Sequence, residues 1–336
     1  GEWLAAPGTS LAPYSPDSFP QGSMLTRTTV RPISIEGEDI EFDIDVVGRH
    51  RIDPNEIHSK KLYILVKDRL EQNPEYKRRM ELRGRCIRLS YPEHMFHLDV
   101  IPACTDPDDI QEVAILIPDK QKWATEQSPR STYRESDPLR YADWFEQNTE
   151  VVQRLYERKI SASVAPVPDR EPPNLKAPLR KIVQIIKRGR DLEFVGRGEI
   201  PSSILIATMA ARTYRGEADL ADGLRNVLHG MNSAIVQARP GRVAVINPTN
   251  ADEDFAEAPS QACYDRFAKL IERMSTWISR AMSAQPGRRN IEPVLAEAMG
   301  GTLVAKAFHS LETDMKAAHD GGKLGAVAGS GLTILT

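Results

Sequence analysis

The chain has 336 residues, 40% of them apolar and 27% charged, with a net charge of −3 at pH 7. That is the make-up of a water-soluble globular protein with room for two domains. It gives no support to a protein whose main business is binding duplex nucleic acid, and no apolar run approaches the ~18 residues of a membrane-spanning helix, so no membrane and no stable duplex DNA are expected as partners. No secretory leader stands out, and Cys86, Cys104 and Cys263 are far apart without metal-like spacing, so they read as reduced thiols of a cytoplasmic protein.

The first twenty residues hold four prolines, with Trp3 and Leu4 closing a short helix. Gln21-Gly22-Ser23 follows; a glycine lets backbone approach a phosphate closely, and Ser23 offers a hydroxyl and an N–H. Residues 31–40 read as a strand or turn leading into Glu41-Phe-Asp-Ile-Asp-Val-Val47, which alternates carboxylate and apolar side chain. In a strand, positions i and i+2 share a face, so Asp43 and Asp45 point one way, about 6.6 Å apart at Cα, and Phe42, Ile44 and Val46 the other. Two neighbouring acids repel; a hard cation such as Mg²⁺ between them removes the conflict.

Residues 53–80 read as mainly helix, capped by Asp53-Pro54-Asn55 and ended or kinked at Pro74. The lysines and arginines along it, from Lys60 to Arg79, read as a solvated face rather than a nucleic-acid patch. Cys86–Ser90, Phe96–Ile101 and Val113–Pro118 read as strands of a small mixed sheet. Asp99 sits in the second of them, on a strand able to lie beside that of Asp43 and Asp45. Three carboxylates around two divalent ions ~3.5–4 Å apart is the arrangement for phosphoryl and nucleotidyl transfer. His94 and His97 lie near Asp99, but Mg²⁺ prefers oxygen, so they read as packed or solvated histidines. An Asp-x-Asp alone is common on solvated strand edges. A Gly-Ser pair, an Asp-x-Asp in an apolar strand and a third Asp in another strand, in that order, are much rarer together.

Residues 139–160 read as a connecting helix with Trp144 and Phe145 in the core, and the proline-rich stretch Ala165–Pro178 as a crossing loop. From Leu179 the pattern is helical. Lys187, Arg188 and Arg190 follow an apolar face of Ile182, Ile185 and Ile186, and Pro201 opens the next helix at N1, with Ser202 and Ser203 in its first turn. Free N–H groups at such a terminus suit phosphate. Further helices are expected at 218–236, 260–282 and 293–308, a strand-like piece at Val243–Ile246, and a Gly/Ala-rich mobile tail at 316–336.

Taken in order, PQGS, then EFDIDVV, then HLDVIPA resembles the nucleotidyltransferase core of the bacterial CD-NTases, relatives of animal cyclic GMP-AMP synthase and of oligoadenylate synthase. The resemblance continues through Pro129–Phe145, Lys187-Arg-Gly-Arg-Asp191, Pro201–Thr208 (where Ile206 and Ala207 depart from the pattern) and Asn247-Pro-Thr-Asn250 with Glu253-Asp-Phe255, covering roughly residues 1–280. It implies an α/β polymerase-β-like catalytic domain over residues 1–160, an all-helical domain over 165–315, and an N-terminal helix only partly present in this chain. It implies a metal-dependent synthase that joins NTPs, ATP or GTP foremost, into a cyclic di- or trinucleotide for anti-phage (CBASS) signalling. Asp43, Asp45 and Asp99 would be catalytic and metal-binding, with two Mg²⁺ ions for which Mn²⁺ can substitute. Asp99 would help deprotonate the acceptor hydroxyl, and Gln21, Gly22, Ser23, Lys187 and Ser202 or Ser203 would bind the nucleotide. Implied partners are an effector that responds to the product and a ubiquitin-transfer-like or other regulatory protein acting on the tail. Three other readings stay open: transfer of one nucleotide to RNA or protein, a silent nucleotide-binding partner, and activation by duplex nucleic acid.

Overall fold

The computed structural model describes residues 2–35, 38–161, 178–284, 287–320, 324–327 and 331–334. In the N-terminal half the elements run α1 (Glu2–Ala5), β1 (Asp17–Pro20), α2 (Gly22–Leu25), β2 (Ile33–Ile35), β3 (Glu38–Ile40), β4 (Phe42–His50), α3 (Ser59–Glu71), α4 (Pro74–Arg79), β5 (Met80–Leu82), β6 (Ile87–Tyr91), β7 (Phe96–Thr105), β8 (Ile115–Pro118) and β9 (Tyr133–Ser136). β2 and β3 pair with each other, and the rest build a seven-stranded mixed sheet in the order β1-β4-β7-β6-β5, with β8 paired to both β7 and β9. β4 and β7 are parallel, whereas β1–β4, β6–β7 and β7–β8 are antiparallel.

The period-2 pattern sorts the sheet's two faces. Ile87, Val100 and Leu116 turn to one side, where they pack with Leu62, Tyr63, Val66 and Leu70 of α3 and Leu4 of α1. The acids of β4 and β7 occupy the opposite face, which also carries a small cluster of Val47, Ala103 and Ile115. The helix expected over 53–80 is two helices. His58, not the Asp53 turn, caps α3, its side chain accepting the Lys60 N–H. Pro74 opens α4 instead of ending α3, because Asn73 caps a new turn there through the N–H groups of Glu75 and Tyr76, and proline is well placed at N1.

The rest of the chain is α5 (Pro138–Ser161), α6 (Pro178–Glu193), α7 (Ser203–Thr213), α8 (Leu220–Gln237), the two-stranded β10 (Ile246–Asn247) and β11 (Asn250–Asp254), α9 (Gln261–Ser283), α10 (Arg288–Met299), α11 (Gly301–Asp320), and a terminal hairpin of β12 (Leu324–Val327) and β13 (Gly331–Ile334). Ile182, Val183 and Ile186 of α6, Leu205 and Met209 of α7, Val227 and Met231 of α8, and Phe267 and Ile271 of α9 form one large core. Tyr141 and Phe145 of α5 belong to that core. α5 thus packs against the helices that follow it.

One further expectation is corrected. The helix expected at 293–308 is split, because Gly300 sits at φ +81° and ends α10 before α11 begins. The segment expected as a tail from 316 starts within α11, which runs to Asp320, and β12 and β13 pair beyond it. The proline-rich crossing lies outside the described residues, apart from Pro178, which opens α6. No helix among the described residues is long and apolar enough to cross a membrane.

Candidate active site

The parallel pairing of β4 and β7 places Asp45 directly opposite Asp99, and Asp43 opposite His97. Paired positions of neighbouring strands share a face, about 4.8 Å apart. The three acids expected to meet are therefore brought to one face by register alone. Asp99 is 7% exposed, whereas the Asp43 side chain is 56% exposed.

β1 ends against β4, and the Gln21 N–H donates to the Asp45 carbonyl at 2.9 Å. The next residue, Gly22, opens α2 at φ +60°. A Cβ there would stand 2.6 Å from Asp45 Oδ2, so only glycine lets the turn come this close to the carboxylate. Ser23 follows on the same turn. Its carbonyl accepts the Thr28 N–H at 2.8 Å and the Thr29 hydroxyl at 3.2 Å.

Cations from the protein stand among the acids. Arg88, the antiparallel partner of Asp99 on β6, holds it with Nε and Nη2 at 2.8 and 2.7 Å, and Nη2 lies 3.8 Å from Asp43. His97 is not merely packed or solvated, as expected from sequence. Its Nε2 meets Asp43 Oδ1, and Nδ1 lies 3.1 Å from Glu41. Asp43, His97 and Asp99 offer ligand atoms all within 4.8 Å of one another, and Asp45 lies beside this group rather than in it.

The electrostatics follow from the contacts. Burial, then the charges of Asp43 and Asp99, push Asp45 up to about 7. Burial works the same way on Asp43, but the hydrogen bond and charge of His97, with Arg88 and Arg190, outweigh it and hold Asp43 below the usual carboxylate range. The site is thus over-supplied with negative charge at Asp45 and answered by cations elsewhere. Its donors are hard carboxylate oxygens with one imidazole, and Gly22 leaves Asp45 without a crowding side chain. This set fits Mg²⁺ or Mn²⁺.

The helical half faces the same turn. Lys187 is 3% exposed, so it is not surface charge; its Nζ donates to the Thr28 carbonyl at 3.0 Å. Burial, then Arg190, lowers its pKa to about 8, while Asp43 and Asp45 act in the other direction. The two serines separate. Ser202 is the N-cap of α7, accepting the Leu205 N–H, and Pro201 therefore precedes the cap rather than occupying N1. Ser203 begins the helix, and its hydroxyl accepts from Arg190 at 3.1 Å. Arg190 also pairs with Asp191 at 2.7 Å.

Arg88, His97 and Arg190 are the residues here that sequence reasoning did not place in the site. For Arg88 a signal was present. The turn at 92–95 fixes Tyr91 opposite Phe96, and counting back along both strands puts Arg88 opposite Asp99.

Residues 16–102, which span the Gly-Ser turn and all three acids, match the family model for the cyclic GMP-AMP synthase DncV-like nucleotidyltransferase domain. A curated c-di-GMP synthase of Roseivirga ehrenbergii is 27% identical over 278 residues, covering 81% of this chain and 69% of the relative. Over residues 16–102 the chain thus carries a DncV-like nucleotidyltransferase domain, and over most of its length it is similar to a cyclic-dinucleotide synthase. Among solved CD-NTases, CdnG of Bradyrhizobium diazoefficiens in complex with GTP superposes with a TM-score of 0.70 at 22% identity, covering 93% of this chain and 90% of that one. DncV of Vibrio cholerae, a cyclic AMP-GMP synthase, superposes with a TM-score of 0.61 at 20% identity, covering 85% and 69%. The CD-NTase architecture, a polymerase-β-like α/β core with a helical C-terminal region, is the one described above. The matched domain is that of a nucleotidyltransferase.

Proposed function

We propose that the chain joins two or three NTPs into a cyclic oligonucleotide with release of pyrophosphate, GTP being one substrate. The observation that carries the reading is the register Asp45↔Asp99 on parallel β4 and β7, with Asp43 two residues upstream and the Gly22 turn against Asp45. The curated relative is a c-di-GMP synthase, and CdnG was solved with GTP, which supports GTP as a substrate.

Asp43, Asp45 and Asp99 would hold divalent ions, Mg²⁺ or Mn²⁺, whose chemistry there is to lower the pKa of the acceptor ribose hydroxyl and to neutralise the donor triphosphate. The chain's own groups do the rest. The Gly22–Ser23 turn offers main-chain N–H groups and a hydroxyl to the donor's phosphates, and Gln21 anchors that turn to β4. Lys187 and Arg190 bring positive charge from α6 to the same place, and Ser203, already held by Arg190, presents its hydroxyl beside them. Ser202 caps α7 and fixes where Ser203 stands. Asp99 would accept the proton of the attacking hydroxyl. Arg88 engages one lone pair of each oxygen, which leaves the others to accept from the hydroxyl. A last round of the same transfer, the second for a dinucleotide and the third for a trinucleotide, closes the ring after the linear product has turned around in the cleft. The product would signal to a separate effector protein in anti-phage defence, and β12–β13 would present the C-terminus to a regulatory partner.

The test is incubation with Mg²⁺ or Mn²⁺ and all four NTPs, followed by phosphatase and mass spectrometry. A phosphatase-resistant cyclic product is expected, absent from the Asp43→Asn/Asp45→Asn variant. Label fixed to RNA or protein, with no free cyclic product, would overturn the reading.

A further inference from the structure

Gln184, Lys187 and Arg188 all leave α6 towards the catalytic half, and all three end on main-chain carbonyls of one short segment. Gln184 Nε2 donates to Thr29 O at 2.6 Å, Lys187 Nζ to Thr28 O at 3.0 Å, and the Arg188 guanidinium to Arg31 O. That segment is also what closes the Gly22–Ser23 turn. The Thr28 N–H and the Thr29 hydroxyl both donate to the Ser23 carbonyl, at 2.8 and 3.2 Å. The Thr26 and Thr28 hydroxyls, both buried, lie 2.9 Å apart and tie the two ends of the turn together. An unbroken run of hydrogen bonds thus leads from α6, through residues 28 and 29, to the carbonyl of Ser23.

We propose that Gln184 and Arg188 are positioning residues for the donor nucleotide's phosphates. They set the height of the Gly22–Ser23 turn from the helical half and keep it there when Lys187 leaves the Thr28 carbonyl for a phosphate. The inference rests on the nucleotidyltransferase reading. Its logic is one of exchange. A lysine that both bonds a carbonyl and serves a triphosphate removes a donor from the turn at the moment the turn is needed. Gln184 and Arg188 bond the flanking carbonyls and have no such second duty, so the turn stays ordered. A protein hydrogen bond contributes ~1 kcal/mol net, about fivefold in an equilibrium, so losing both should cost about twenty-five-fold.

The variants are Gln184→Met and Arg188→Met, singly and together, which remove the donors at similar side-chain volume, with Arg188→Lys as the control that keeps a donor. GTP affinity with Mg²⁺ is read by calorimetry, KM and kcat by product formation, and hydrogen exchange over the peptide spanning residues 22–31. Each methionine variant should weaken GTP about fivefold and the pair about twenty-five-fold. kcat should stay within twofold, exchange of the 22–31 peptide should accelerate, and Arg188→Lys should lie near wild type. Unchanged affinity and exchange in the double variant would overturn the proposal. So would a drop in melting temperature and in kcat without local change in exchange, because that is the signature of a structural role. If wild type binds GTP in this Gln184- and Arg188-dependent way yet makes no cyclic product, the inference stands and the cyclase reading falls.

Discussion

Gly22 and Asp45 face each other at the candidate site, and each carries a prediction. At Gly22, both the positive φ and the 2.6 Å approach to Asp45 Oδ2 exclude a side chain. Gly22→Ala should leave the fold intact, since the residue is exposed, but push the turn off the carboxylate. A displacement of this size near reacting groups costs roughly 100-fold in rate, so kcat/KM should fall by about that factor with an unchanged circular dichroism spectrum. At Asp45 the effect depends on pH. Its folded pKa is raised from 3.8 to about 7, so without metal the native state holds a proton that the unfolded chain gives up. The site's contribution is therefore neutral below about pH 4 and increasingly destabilising as pH rises to about 7, by an amount on the order of 2–4 kcal/mol. In metal-free protein at pH 8, Asp45→Asn should raise the melting temperature. In wild type, stabilisation by Mg²⁺ should grow between pH 6 and pH 8, because the ion needs the deprotonated carboxylate. A Mg²⁺ effect independent of pH over that range would remove Asp45 from the ligand set.

At the level of elements, the start of α7 separates structural from functional serine. Ser202 accepts the Leu205 N–H as an N-cap, so Ser202→Ala should cost ~1 kcal/mol and lower the melting temperature by a few degrees, with KM for NTP little changed. Ser203 bonds outward to Arg190, so Ser203→Ala should raise KM severalfold with little effect on melting. The opposite pattern would reassign the two. Sequence alone placed both serines at this helix start but did not divide their work, because capping depends on the φ and ψ of one residue. The acids were legible for a simpler reason: strand periodicity fixes which residues share a face, and Asp43, Asp45 and Asp99 need only that their strands be neighbours. Arg190 was not legible as a site residue, because its place depends on how α6 lies over the sheet, which is not a local property. His97 shares the face of Asp99 by the same periodicity and was set aside only because Mg²⁺ prefers oxygen. The helix boundaries failed where a cap outranked a breaker, as at Asn73 before Pro74.

Across the whole molecule, the two cores meet around the candidate site rather than through it. Leu62, Val66 and Val100 belong to one core and Ile186, Leu205 and Phe267 to the other. Besides the contacts of α6 with residues 28–31, polar groups far along the chain join the halves. Arg134 of β9 pairs with Glu253 of β11, which Asn247 Nδ2 also holds at 2.8 Å. This puts the Asn-Pro-Thr-Asn and Glu-Asp-Phe motifs to work as a clasp between the sheet and the helical half, a role their spacing did not reveal. The Arg134 and Glu253 side chains are 33% and 21% exposed, so the pair is partly screened by water and its coupling should be ~1 kcal/mol at low salt. A double-mutant cycle of Arg134→Met and Glu253→Met, read by denaturant unfolding, should give that coupling at 50 mM NaCl and lose most of it at 1 M. Because Asn247 retains Glu253 when Arg134 is removed, Arg134→Met should cost less than Glu253→Met, which takes the acceptor from both partners at once. Equal costs, or a coupling that salt leaves untouched, would mean the pair is a buried structural contact rather than a screened seam between the halves.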